Sequence, residues 1–141
     1  MTATQMTPTR ATVLVVDDAA TVRMYHTKLL GDAGFGVQEA ANGLEAVEAA
    51  LHTPFDLFVV DVNMPKMDGY ACVSTLRSET VGTAAPVLMI STEDGPGDAD
   101  RAYAAGANLY LVKPVAAARL VRVASMLTAG LASGPTDGEP A

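Results

Sequence analysis

The sequence predicts an α/β fold: a doubly wound, five-stranded parallel sheet with helices on both faces. Three observations lead there. Five short apolar runs recur along the chain, and the segments between and after them carry apolar residues at helical spacing. Three of the runs are apolar without alternation, as strands covered on both faces must be. Strands that alternate with helices imply parallel neighbours joined by right-handed crossovers.

TVLVVD (12–17) is the first strand, and Val22, Leu29 and Ala33 mark a helix that Gly34 closes. FGVQEA (35–40) is the second strand. Asn42 with Glu45 three residues on signals the next helix start, and Leu44, Val47 and Leu51 mark its buried face. DLFVVD (56–61) is the third strand, followed by a helix with Tyr70, Val73 and Leu76 on one side. PVLMIS (86–91) is the fourth, after which Pro96 opens a helix with Ala99, Ala102 and Tyr103, closed by Gly106. NLYLV (108–112) is the fifth strand, and Leu120, Ala124, Leu127 and Leu131 line the last helix. With 141 residues, 50 % of them apolar, the chain fits one domain with a core of its own. The expected organisation is a mobile tail over 1–11, a domain over 12–131 and a second mobile tail over 132–141, both tails having turn-forming, weakly apolar composition.

Charge and composition exclude several classes. A formal net charge of −7, without any Lys/Arg run, argues against nucleic acid as a partner. The single Cys72 cannot form an internal disulfide, and its apolar neighbours make it a small core residue, consistent with a reducing compartment. There is no signal-peptide-like stretch and no run of about 18 apolar residues, so the expectation is a cytoplasmic protein without membrane insertion.

In a doubly wound sheet, sites form beyond the carboxyl ends of the strands. Strand one ends in Asp17 and Asp18, strand three in Asp61, strand four in Ser91 and Thr92, and strand five in Lys113 and Pro114. Only strand two, ending in Ala40 and Ala41, brings no such group, which places it at the rim. Three clustered carboxylates repel unless a cation neutralises them, and oxygen donors without His or Cys select Mg²⁺. Mg²⁺ is commonly completed by phosphate oxygens, and a carboxylate can act as the nucleophile in phosphoryl transfer. Lys113 then balances the added charge and Ser91 donates to a phosphoryl oxygen. His26 and His52 lack partners at metal spacing and are expected at the surface or its boundary, while Met64 and Met67 pack or line the loop.

These motifs, VLVVDD, VVDVNMPKMDG, PVLMIST and LYLVKP in that order, make the chain similar to the receiver domains of two-component response regulators, above all the single-domain, CheY-like chemotaxis type. The resemblance spans about Thr12 to Leu131. It implies the strand order 2-1-3-4-5, that of flavodoxin and CheY. It further implies that Asp61 is the phosphoacceptor, that Asp18 and the backbone carbonyl of Asn63 bind Mg²⁺ directly, and that Asp17 does so through water. Lys113 would contact phosphate and carboxylate, Ser91 would be the switch hydroxyl, Tyr110 the rotameric aromatic, and Lys113–Pro114 a cis peptide.

The implied function is a signalling switch, not an enzyme beyond its own phosphorylation and dephosphorylation. A histidine kinase supplies the phosphoryl group, and a target docks on helix four, strand five and helix five. Since no output domain follows residue 131, action by docking is expected, in chemotaxis first and, as the alternative, in a phosphorelay that passes phosphate to a histidine phosphotransfer protein. Two departures touch the output face: Val115 stands where many receivers carry Phe, and Gly95-Pro96-Gly97 forms an unusual loop. A Mg²⁺-dependent phosphatase of the haloacid-dehalogenase type would want a second Asp where this chain has Asn63. A flavodoxin-like FMN binder would want a Gly- or hydroxyl-rich loop where it has Asp17 and Asp18.

Overall fold

The computed structural model describes residues 10–78 and 83–132. Its elements are β1 (Thr12–Val16), α1 (Ala20–Asp32), β2 (Gly36–Ala40), α2 (Gly43–His52), β3 (Leu57–Asp61), α3 (Gly69–Arg77), β4 (Val87–Ser91), α4 (Asp98–Ala105), β5 (Leu109–Val112) and α5 (Ala117–Ala132). The strands pair in parallel in the order β2-β1-β3-β4-β5, so β2 does lie at the rim. All five strands fall within one residue of the expected bounds. The tails expected at 1–11 and 132–141 lie outside the described residues except for 10, 11 and 132. Of these, Arg10 is tied down by its backbone N–H, which donates to the Gly34 carbonyl at 3.0 Å.

Alternate strand positions feed two cores, as the two-residue period of a strand requires. Leu14, Val16, Phe58, Val60 and Met89 face α2, α3 and α4, where Ala46, Cys72, Val73, Leu76 and Ala102 meet them. Val13, Val15, Leu57, Val59, Leu88 and Ile90 face the other way, onto Leu30 of α1 and Leu120, Val123 and Ala124 of α5. Because both faces are covered, β3 and β4 are buried at every position. No helix among the described residues is long and apolar enough to cross a membrane.

Helix boundaries follow local chemistry. The Asn42 side chain accepts from the Glu45 backbone N–H at 2.9 Å, and the Glu45 carboxylate accepts from Ala41 N–H at 2.7 Å, which secures the start of α2. Gly34 and Gly106, with φ of 103° and 118°, turn the chain out of α1 and α4. Pro96, expected to open the fourth helix, lies just before it: Gly97 is the N-cap, at φ 94°, and α4 begins at Asp98.

Three expectations need correction. On α2 the leucines expected inside, Leu44 and Leu51, are 51 % and 55 % exposed, while Gly43 and Ala46 are buried. The cause is close approach: a Cβ on Gly43 would stand 2.9 Å from Met67 Cγ, so the helix presents its smallest residues to its neighbours and its leucines turn outward. His26, expected near the surface, is buried at 5 % exposure, one turn before Leu30 on the sheet-facing side of α1. Burial lowers its pKa, the nearby charge of Asp17 opposing and that of Lys113 adding to the effect. Tyr103, placed on the buried side of α4, is 45 % exposed, and only Ala102 of that helix is fully buried.

Candidate functional site

The register carries the strand ends to one edge. Val16 pairs with Val60, Asp61 with Ile90 and Ser91 with Val112, so Asp17, Asp61, Ser91 and Lys113 emerge together. Asp17, Asp61 and Ser91 are buried and Asp18 is exposed. Carboxylate oxygens of Asp17, Asp18 and Asp61 all lie within 4.8 Å of one another, close enough to share one cation. The Lys113 ammonium donates to Asp61 Oδ1 at 3.0 Å and to Asp17 Oδ2 at 3.3 Å, so the two buried carboxylates are bridged from the far side of the sheet.

That bridge does not fully compensate burial. Asp61 keeps a raised pKa, burial being the main cause, with the Lys113 hydrogen bond opposing and the charges of Asp17 and Asp18 adding. Burial also works against the Lys113 ammonium, but its hydrogen bond to Asp61 and the charges of Asp61 and Asp17 outweigh it and raise its pKa. The site is thus short of positive charge. Asp17 is further fixed in place: its Oδ1 accepts from Ala19 N–H at 2.9 Å and its carbonyl from Arg23 Nη1 at 2.7 Å, while Arg23 Nε reaches Glu39 at 2.8 Å.

Asp61 is held by the turn that follows it. Val62 N–H donates to the Ile90 carbonyl at 3.2 Å and Gly69 N–H returns to the Val62 carbonyl at 2.8 Å. The Asp68 side chain caps α3 by accepting from Ala71 N–H at 2.9 Å. Gly69 has no alternative: a Cβ there would meet the Asp61 carbonyl oxygen and lie 2.7 Å from Val62 Cα. Within this turn Met64 is buried, Met67 packs on the core and Asn63 is exposed beside the carboxylate cluster's strand.

On the other side, Ser91 Oγ accepts from Glu93 N–H at 2.9 Å, and the Tyr110 hydroxyl donates to the Glu93 carbonyl at 2.6 Å. Both side chains therefore hold one peptide segment, although nothing in the sequence singles out Glu93. Beyond it, the Arg101 guanidinium sits 4.2 Å over the Tyr70 ring and the Tyr70 hydroxyl donates to the Asp98 carbonyl at 3.4 Å. At the far end of α4, Arg77 donates to Gly106 O at 3.1 Å, Ala85 O at 2.6 Å and Asn108 Oδ1 at 2.9 Å. These α3–α4 contacts join residues distant in sequence and carry no local signal. The Lys113–Pro114 peptide is cis.

The response regulator receiver domain family matches residues 13–125. This chain belongs to that family. Receivers are signalling switches that take a phosphoryl group onto an aspartate from histidine kinases, generally with Mg²⁺, and act on target proteins. The receiver is 40 % identical over 109 residues to chemotaxis protein CheY-3 of Vibrio cholerae, a match covering 77 % of this chain and 84 % of that protein. It is 38 % identical over 104 residues to a gliding motility regulatory protein of Myxococcus xanthus, covering 74 % of this chain but only 13 % of that much longer one. Among solved structures, CheY4 of Vibrio cholerae superposes with a TM-score of 0.78 at 37 % identity, covering 83 % of this chain and 98 % of that one. The signal receiver domain of NarL from Mycobacterium tuberculosis superposes at 0.79 with 28 % identity, covering 87 % and 99 %.

Proposed function

We propose that Asp61 is the phosphoacceptor of a cytoplasmic, chemotaxis- or motility-type response regulator, switched by a histidine kinase and read by a docked target. The observation that carries this is the Lys113 ammonium shared by Asp61 and Asp17 at the mouth of the sheet. The likeness to CheY-3 over most of both chains supports the pathway.

The donor set suits Mg²⁺, since the clustered side chains offer oxygen only; Asp18, Asp61 and the Asn63 backbone carbonyl would hold the ion, with Asp17 acting through water. When bound, Mg²⁺ supplies the positive charge that the site lacks. A carboxylate oxygen of Asp61 attacks the phosphorus of a phosphohistidine; the O–P bond forms, the P–N bond breaks, and its electron pair returns to the imidazole. Lys113 balances the negative charge carried by the phosphoryl oxygens. Ser91 leaves Glu93 N–H and donates a hydrogen bond from its hydroxyl to a phosphoryl oxygen, so the segment it shared with Tyr110 is released and the Tyr110 ring turns inward. The phosphoryl group shifts this equilibrium only by its different interaction with the two states. Attack of water on phosphorus later restores the carboxylate.

The target docks on α4, β5 and α5, where Val112 is 41 % exposed, while Val115, smaller than the phenylalanine of many receivers, is buried in the core behind that face rather than on it. Acetyl phosphate with Mg²⁺ tests the nucleophile. Intact-mass spectrometry is expected to show one added phosphoryl group in the wild type and none in Asp61→Asn; equal modification of both would move the acceptor elsewhere.

A further inference from the structure

Helix α2 is apolar on two sides. Its inner side carries Gly43 and Ala46, with Val47, Ala49 and Ala50 half-buried against the core. Its outer side carries Leu44 and Leu51, seven residues apart and so two turns along one stripe, each more than half exposed. The leucines cannot be rotated inward, because the approach of Gly43 to Met67 sets the helix orientation. A leucine stripe that the sheet leaves uncovered marks a contact surface.

The surroundings say what fits it. Leu44 lines a groove of about 420 Å³ with Glu39, Glu45, Glu48 and Ala49, and Leu51 lines a second hollow of about 430 Å³ at the other end of the helix. Glu39 is paired with Arg23, but α2 itself carries no Lys or Arg, and Glu48 lies 3.7 Å from His52. The stripe therefore runs along an acidic flank, with Glu45 and Glu48 on one side of it and Val47 and Gly43 turning to the core on the other. A second copy of this chain is a poor occupant: a twofold contact would set Glu45 and Glu48 against their equivalents, on two chains each of net charge −7.

We propose that the outer face of α2 docks a helix of another protein whose apolar seam is bordered by Lys or Arg. The face belongs to the β2 edge of the sheet, while the proposed output face belongs to the β5 edge. One receiver can thus hold two partners at once. With so few anchoring side chains the contact is weak and transient.

The probe is a short amphipathic peptide with leucines at i, i+3 and i+7 and flanking lysines, together with a twin carrying glutamates instead. Titrated into the ¹⁵N-labelled chain, the lysine peptide is expected to shift amides of α2 and to leave those of β5 and α5 in place. Leu44→Ser/Leu51→Ser changes only exposed positions, so it should keep its circular dichroism and melting curve while binding weakens about tenfold or more. Glu48→Lys should weaken the lysine peptide and improve the glutamate twin. Shifts scattered over the acidic surface, equal binding by the leucine variant, or equal binding of both peptides would overturn the proposal. Sedimentation showing the chain dimerising through these leucines would replace the partner helix by a second copy and overturn it as well.

Discussion

The entries to α3 and α4 are built in opposite ways. At α3 the chain leaves Asp61, makes a turn with buried Val62 and Met64, and enters the helix through the Asp68 cap and a glycine pressed against the Asp61 backbone. At α4 the chain leaves Ser91, crosses exposed residues 92–97, and enters through Gly97, which has no side-chain cap and open space around its Cα. The first entry is over-determined and holds the carboxylate still. The second is held at Glu93, whose N–H donates to Ser91 and whose carbonyl accepts from Tyr110, and at Gly95, whose N–H donates to the Asp98 carboxylate at 2.8 Å; α4 is anchored at its other end by Arg77. Chemistry needs the first property and signalling the second, since a segment with few buried contacts shifts at low cost.

Substitutions test the contrast. Gly69→Ala should be the most damaging: the new methyl meets backbone, which cannot step aside, so a loss of about 3 kcal/mol or more is expected in chemical denaturation, together with loss of phosphorylation. Gly97→Ala meets nothing, and its cost is only that of an L-residue at φ 94°, about 1 kcal/mol, with phosphorylation retained. If the two variants were equally destabilised, the contrast would fail. Asp68→Ala removes a real cap and should cost about 1 kcal/mol by the same measurement, whereas the N-cap of α4, Gly97, has no side chain to lose.

A further expectation concerns the charge held by the rigid entry. In Mg²⁺-free buffer Asp61 binds its proton more tightly when folded than when unfolded, chiefly because it is buried. Stability therefore falls as pH rises from 3.8, its ordinary value, through the folded value, and stays reduced above it. Asp61→Asn removes this penalty, so it should melt higher than wild type at neutral pH, with the gap closing on acidification. Melting curves with a gap independent of pH would refute this. The smallest expected signal is from Cys72. Burial pushes its thiol up to about 12, so a thiol reagent at neutral pH should react only as fast as the packing of α3 opens.

Much of this was legible from the residues alone. A parallel strand buried on both faces reads as an uninterrupted apolar run, so β1, β3 and β4 announce themselves, and whatever follows such a run lies at the sheet's edge. That is how Asp17, Asp61, Ser91 and Lys113 could be brought together on paper. Helix rotation was not legible in the same way. Leu44, Val47 and Leu51 satisfy the helical period, but which side of α2 faces inward depends on Gly43 meeting Met67, a contact across the fold. His26 was misplaced for a related reason: its one-turn spacing to Leu30 puts it inward, and a lone titratable residue gives no warning of that. The Tyr70–Arg101 stacking joins two helices through residues with no shared motif.

Lys113 reaches Asp61 across 52 positions of the chain and Asp17 across 96. On the ribosome, at about 5–20 residues per second, the acidic residues wait on the order of several seconds for the lysine to be made. Until then the carboxylates have no ammonium to close against, and the mouth of the sheet stays unfinished whatever β1 and β3 have achieved. Order of synthesis thus leaves the acidic mouth without its ammonium until the fifth strand has been made.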